Sequence, residues 1–143
     1  MTVTWTDVLD AVDWQELSDL YRKAPLAAKE PARLKTAFAN SMFHRFGYED
    51  GVLVAAGRAL ADGVDCSYIC DVAILPSHQG CGLGKAVVGR LVELARGHRK
   101  IILYAVPGKE AFYARFGFRR MTTAMAIFDD PEAAGARGYI VPD

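Results

Sequence analysis

Cys66-Ser67-Tyr68-Ile69-Cys70-Asp71-Val72-Ala73-Ile74-Leu75-Pro76 leads into Ser77-His78-Gln79-Gly80-Cys81-Gly82-Leu83-Gly84-Lys85. The first part is the longest β-branched and aromatic run in the chain, and Pro76, which has no N–H to give to a ladder, ends it. From Leu83 to Arg96 the period changes. Leu83, Val87, Val88, Leu91, Leu94 and Ala95 fall on one stripe, with Lys85, Gly89, Glu93 and Arg96 opposite, as in an amphipathic helix. Gly97 is placed to stop that helix, and Ile101 to Val106 reads as a strand ending at Pro107-Gly108. Strand, glycine turn, helix and strand in that order make a βαβ unit, so the expected sheet is mixed, with a parallel pair at its centre.

Upstream, Thr2 to Thr6 is a short β-prone start, and Asp13-Trp14-Gln15-Glu16 reads as a helix entrance with Asp13 as N-cap and Glu16 three residues on. Trp14, Leu17, Leu20, Tyr21 and Ala24 follow at helical spacing. Pro31 suits the first turn of a second helix carrying Leu34, Ala37 and Phe38. Phe43 to Tyr48 and Val52 to Leu60 flank Asp50-Gly51, a hairpin signal, and Ala61-Asp62-Gly63 makes the next turn. Downstream, the spacing predicts a short helix over Glu110 to Arg115 and strands near Phe118 to Arg120 and Met125 to Phe128. Asp129 to Asp143 carries little ordering signal, although Tyr139-Ile140-Val141 is apolar enough to dock.

The chain has 143 residues, 52% of them hydrophobic and 24% charged. That length suits one domain of roughly 100–150 residues, and the apolar share excludes disorder. Seventeen Lys and Arg balance seventeen Asp and Glu. A neutral chain lacks the cationic surplus of a dedicated nucleic-acid binder, so no nucleic-acid partner is expected. No run approaches the ~18 apolar residues of a membrane span, and Met1 to Asp13 has neither a basic start nor an apolar core, so no membrane association or secretory signal is expected. The odd set Cys66, Cys70 and Cys81 fits a reducing compartment, and the reading is cytoplasmic. No metal is expected: Cys66 and Cys70 lack a matching His pair, and His44, His78 and His98 are scattered.

Three glycines at alternate positions, Gly80, Gly82 and Gly84, let the backbone approach a ligand, and the helix that follows presents unpaired N–H groups. A phosphate or pyrophosphate is the expected guest. A P-loop would need Gly where Gln79 stands and Ser or Thr where Ala86 stands. A dinucleotide fingerprint from Gly80 and Gly82 would need Gly or Ala at Lys85. Neither fits. What matches is Gln79-x-x-Gly82-x-Gly84, the Q/R-x-x-G-x-G/A motif of the GNAT acetyltransferase superfamily. Cys70 to Pro76 before it, and Ala111-Phe112-Tyr113-Ala114-Arg115-Phe116-Gly117-Phe118 after it, resemble that superfamily's preceding strand and F-Y-x-x-x-G-F signature. The resemblance covers roughly Val52 to Phe128. It is similar in particular to small stand-alone bacterial members and plastid arylamine acetyltransferases.

The resemblance implies a GNAT fold over one domain, residues 1–143 with a C-terminal extension from 129. Its mixed, mostly antiparallel α/β sheet carries a splayed parallel pair and helices on both faces. It implies acetyl-CoA as cosubstrate. Main-chain groups of Val72, Ala73 and Ile74 would pair with the pantetheine arm, one of them polarising the thioester carbonyl. Gln79, Gly80, Cys81, Gly82, Leu83, Gly84 and Lys85 would seat the pyrophosphate. A basic group among Arg96, His98, Arg99, Lys100, Arg119 and Arg120 would meet the 3′-phosphate. Tyr113 would protonate the leaving thiolate, the competing reading being a tyrosine packed under the C-terminal strands. Asp71 would accept the amine proton, directly or through water; a buried structural acid competes equally. Strand alternation puts Asp71 on the face of Ile69 and Ala73, away from Cys70, so the two share a pocket only if the strand bulges. Tyr68 and Tyr104 are second-rank pocket candidates.

The function so implied is acetyl transfer to a small primary amine by direct attack in a ternary complex. Two alternatives stand beside it: a non-catalytic acyl-CoA sensor, and an enzyme with peptide or protein acceptors. The acceptor pocket would draw on Tyr21 to Ser41 and on Asp62 to Tyr68. A homodimer through the terminal strands is expected from the family and from apolar Met125 to Phe128.

Overall fold

The first helix begins where Asp13 stands to cap it. In the computed structural model the Asp13 carboxylate accepts hydrogen bonds from the N–H groups of Gln15 and Glu16, at 3.0 and 3.1 Å, and α1 runs Trp14–Lys23. Glu16 does not complete a capping box. Its carboxylate instead accepts the Leu53 N–H at 3.0 Å and ties the helix to the sheet. Pro31 opens α2, Pro31–Ala39, as its fixed φ favours. The structure describes residues 1–24, 26 and 29–142. Residues 25, 27 and 28, inside the stretch expected to help line an acceptor pocket, and residue 143 lie outside it.

Two compact units divide the chain, Met1–Ile102 and Leu103–Asp143. The first holds a five-stranded sheet in sequence order: β1 Thr4–Thr6, β2 Phe43–Glu49, β3 Val52–Ala61, β4 Cys66–Ile74 and β5 Lys100–Ile102. β1 to β4 pair antiparallel and β4 with β5 parallel. Asp50 and Gly51 both take positive φ, 49° and 77°, which matches the right-handed twist of the hairpin they close. Asp62 organises the next turn by accepting the N–H groups of Val64, Asp65 and Cys66. Those backbone donors hold its carboxyl down at about 2.

The sheet is covered on both faces. On one, Leu17, Leu20 and Tyr21 of α1 and Leu34 and Phe38 of α2 pack on Phe46, Leu53, Ala56 and Ala73. On the other lies α3, Leu83–Ala95, which buries Leu83, Val87, Val88, Leu91 and Ala95. α3 packs tightly over Gly57: a Cβ there would stand 2.7 Å from Val87 Cγ1, 3.2 Å from Leu91 Cδ1 and 3.3 Å from Val72 Cγ2. Gly57→Ala is therefore expected to destabilise by about 1–3 kcal/mol through overpacking. The check is a lowered urea midpoint with an unchanged m value; an unchanged midpoint would show that α3 can shift freely.

Three strand expectations need correction. β5 spans only Lys100–Ile102, not the whole of 101–106. Residues 118–120 and 125–128 form no strand, although α4, Glu110–Ala114, lies where a short helix was expected. The cause is pairing: a strand persists only where a neighbour takes its N–H and C=O groups. Alternating apolar residues do not suffice, and Met125 at 96% exposure and Ile127 fully exposed find no cover. The parallel pair consequently lies at one edge of the described sheet rather than at its centre. Conversely, residues 131–136, expected to be poorly ordered, form α5, Pro131–Ala136, because Asp130 caps the Ala133 N–H at 3.0 Å and Pro131 occupies the first turn. Among the described residues no helix is long and apolar enough to cross a membrane.

Candidate active site

The turn between β4 and α3 keeps its backbone donors free. Gly80 and Gly82 adopt φ of +81° and +84°, a region that a side chain makes costly, and Gly82 is the residue from which α3 starts. The first N–H to bond back into the helix is that of Ala86, to Gly82 O at 3.1 Å. Among the described residues, no acceptor meets the N–H groups of residues 80–85. Cys81 and Lys85 are exposed, whereas the Leu83 side chain turns into the core. Gln79 pins the turn by donating from Nε2 to Ile74 O at 3.2 Å. A single 3-10 turn, Pro76–His78, precedes it, with His78 Nε2 2.8 Å from Glu49 Oε1. Several converging donors at a helix start, open to solvent, form a seat for an anion.

β4 carries the bulge that placing Asp71 beside Cys70 requires. Ala56 pairs with Ala73 and Arg58 with Cys70, so Asp71 and Val72 together oppose Gly57. Asp71 takes φ +55°, an uncommon conformation that short polar side chains tolerate best. The extra residue shifts the alternation, and Cys70 and Asp71 come to share the charges of Arg58 and Lys29. Beyond the bulge, Ala73 and Ile74 pair with β3 through Ala56 and Ala55. On its other side β4 pairs with β5 only over Cys66, Ser67 and Tyr68. Within the first unit, the edge from Ile69 to Ile74 is open to an added extended ligand.

Sequence reasoning missed the partners of Asp71. Lys29 Nζ donates to both Asp71 carboxylate oxygens at 2.8 Å, and Arg58 Nε donates to Oδ2 at 2.8 Å. Arg58 Nη1 also donates to Ser41 Oγ at 3.2 Å, and the Tyr21 hydroxyl donates to Asp71 O at 2.7 Å. Burial pushes the Asp71 carboxyl up, but the bonds and charges of Lys29 and Arg58 outweigh it and hold the group below the ordinary carboxylate range. Burial raises the Cys70 thiol to about 11, so it stays protonated. One signal was available: Arg58 is the only charged residue between Val52 and Ala61.

Tyr113 lies on α4 in the second unit. Its ring packs edge-on against Phe112 and Phe118, with centroids 5.0 and 6.2 Å away. The N–H of Phe116 donates to Tyr113 O and that of Gly117 to Ala114 O, both at 3.0 Å, and Gly117 closes the turn at φ +97°. Burial first, and Tyr139 second, raise the phenol above its ordinary value. In the same unit Tyr104 stacks edge-on with Phe128 and Tyr139. Among the described residues no group of three or more His, Cys, Asp or Glu is placed to hold a metal ion.

Comparison with known proteins places this geometry. The Acetyltransferase (GNAT) family matches residues 11–118. GCN5-related N-acetyltransferase 1, chloroplastic, of Arabidopsis thaliana is 48% identical over 67 residues, 46% of this chain and 34% of that protein. Serotonin N-acetyltransferase 2, chloroplastic, of Oryza sativa subsp. japonica is 35% identical over 115 residues, 75% of this chain and 56% of that protein. The chain thus spans between a third and somewhat over half of these relatives. A probable acetyltransferase from methicillin-resistant Staphylococcus aureus, solved by crystallography, has the same fold, with a TM-score of 0.78 at 22% identity over 89% of this chain and 99% of that one. With well over half of its residues inside the family's match, including the bulged strand and the glycine turn, the chain belongs to the GNAT acetyltransferase family.

Proposed function

We propose that the protein transfers an acetyl group from acetyl-CoA to a primary amine by direct attack in a ternary complex. The observation that carries this is the run of unpaired N–H groups over residues 80–85 at the start of α3, which fits a pyrophosphate. Gly80, Cys81, Gly82, Leu83, Gly84 and Lys85 hold it with backbone donors and the helix dipole, and Gln79, whose own N–H goes to Pro76 O at 3.4 Å, shapes the turn they sit on. Main-chain groups of Val72, Ala73 and Ile74, on the part of the β4 edge that β5 leaves unpaired, take the pantetheine arm as an added strand.

Acetyl-CoA supplies the activated thioester. The C–N bond forms as the C–S bond breaks, the thiolate takes the Tyr113 phenolic proton, and the proton lost by the amine goes to solvent, from which Tyr113 is recharged. A raised phenol stays protonated at neutral pH, as a proton donor must. Asp71, ionised and already bonded to two cations, is a weak proton acceptor. Its role in this reading is to position Lys29 and Arg58.

The test is calorimetric titration with acetyl-CoA together with CoA release over a panel of amines. Gly82→Ala forces a side chain into φ +84° at about 1–2 kcal/mol, and acetyl-CoA affinity is expected to fall about 10-fold with helix content unchanged. Absence of acetyl-CoA binding to the unaltered protein would overturn the proposal. Binding without turnover on any amine would identify an acyl-CoA sensor instead.

A further inference from the structure

Two cations and one carboxylate meet at the bulge of β4, and the charges do not cancel. Lys29 and Arg58 both bond Asp71, and no other carboxylate hydrogen-bonds to either cation among the described residues. Lysine brings three N–H donors and arginine five, whereas Asp71 and Ser41 accept only four hydrogen bonds from the pair. The Arg58 and Asp71 side chains are 13% and 14% exposed, so the surplus charge is weakly screened there, while the Lys29 side chain is 32% exposed. The cluster is held firmly: the Tyr21 hydroxyl fixes the Asp71 backbone, and Ser41 Oγ, which donates to Ala37 O at 2.7 Å, accepts from Arg58.

We infer that Lys29 and Arg58 read a negatively charged group on the acceptor, a carboxylate or a phosphate, so that the enzyme takes amines that carry an anion and disfavours simple alkylamines and polyamines. The inference rests on the acyl-transfer reading above, which places the thioester beside Val72, Ala73 and Ile74, directly after Asp71. Two physical consequences support the class. An anionic group offers charge-assisted bonds to the donors of Lys29 and Arg58 that no protein acceptor meets among the described residues. A dication would meet repulsion from both cations.

The test begins with inorganic phosphate and acetate, titrated separately into isotopically labelled protein saturated with acetyl-CoA, so that the seat at residues 80–85 is taken. Saturable NMR shifts centred on Lys29 and Arg58, abolished in Lys29→Gln and in Arg58→Gln, are expected; preference for one probe tells phosphate from carboxylate. No saturable shift at either residue up to about 50 mM overturns the inference. Turnover is then compared within matched pairs, phosphoethanolamine against ethanolamine and β-alanine against its amide. The anionic member of a pair is expected to have a kcat/KM about 10–100-fold higher, the difference collapsing in Lys29→Gln. Turnover confined to the neutral members, or absent from both pairs, overturns it. Acetyl-CoA binding by calorimetry and CoA release over the wider amine panel are read separately, so loss of the acyl-transfer reading is seen independently of the anion result.

Discussion

Tyr113→Phe is expected to lower kcat about 10²–10⁴-fold while leaving acetyl-CoA affinity within about 2-fold, the range for removing a general acid that does no ground-state binding. The substitution deletes one oxygen and keeps the ring that packs at 5.0 Å on Phe112 and 6.2 Å on Phe118, so the local fold is preserved. Free-thiol release gives kcat, and calorimetry gives the affinity. Burial raises the phenol, so the donor form persists to higher pH than for an exposed tyrosine. The sign follows: activity that depends on this proton is present below the raised value and falls as pH rises through it, beyond pH 10. An acetyl thioester of a more acidic thiol needs less help in leaving, and should narrow the gap between Tyr113→Phe and the unaltered protein. Unchanged kcat with acetyl-CoA would refute the role.

How far the sequence reached depended on the range of the interaction. The hairpin at Asp50-Gly51 and the cap at Asp13 are settled within a few residues, and both formed as read. The alternation of strand and helix around the glycine turn is equally local, since the apolar periods of β4 and α3 are written in contiguous residues. Glu16 departed from its expected box because Leu53, 37 positions away, offered an N–H. The strands read at 118–120 and 125–128 needed partners that periodicity cannot supply. At the site, Gly80 and Gly82 were legible because their backbone conformation demands glycine. The ion cluster was not: Asp71 meets Arg58 across 13 residues and Lys29 across 42, and the meeting depends on a bulge that moves one side chain to the other face. Regular alternation would have kept Asp71 and Cys70 apart, so no reading of the strand period alone could find the pair.

Asp71→Asn isolates what that cluster contributes. Asparagine tolerates the φ of +55° found there and nearly matches the carboxylate in shape, so the change removes charge rather than backbone fit. Lys29 and Arg58 would be left against a neutral amide in a half-buried site. Breaking a buried pair from one side costs about 3–5 kcal/mol, and the partial exposure of Lys29, 32%, brings the expected loss to about 2–3 kcal/mol. The effect should depend on pH in a defined sense. The folded carboxyl lies below its unfolded value, so the unfolded state binds more protons in the interval between them. The stabilisation from Asp71 is thus complete above the unfolded value of about 3.9 and is lost as pH falls through the lower, folded one. Urea midpoints of the unaltered protein and of Asp71→Asn should differ at pH 7 and converge in strong acid. A difference below about 0.5 kcal/mol at pH 7, or one that persists unchanged in acid, would show that the cations do not depend on this carboxylate. The same variant separates positioning from proton transfer. A carboxyl held below the usual range takes a proton from an ammonium poorly. Once turnover is normalised to folded protein, Asp71→Asn should therefore cost far less in kcat than Tyr113→Phe, and should mainly raise KM for the acceptor that Lys29 and Arg58 hold.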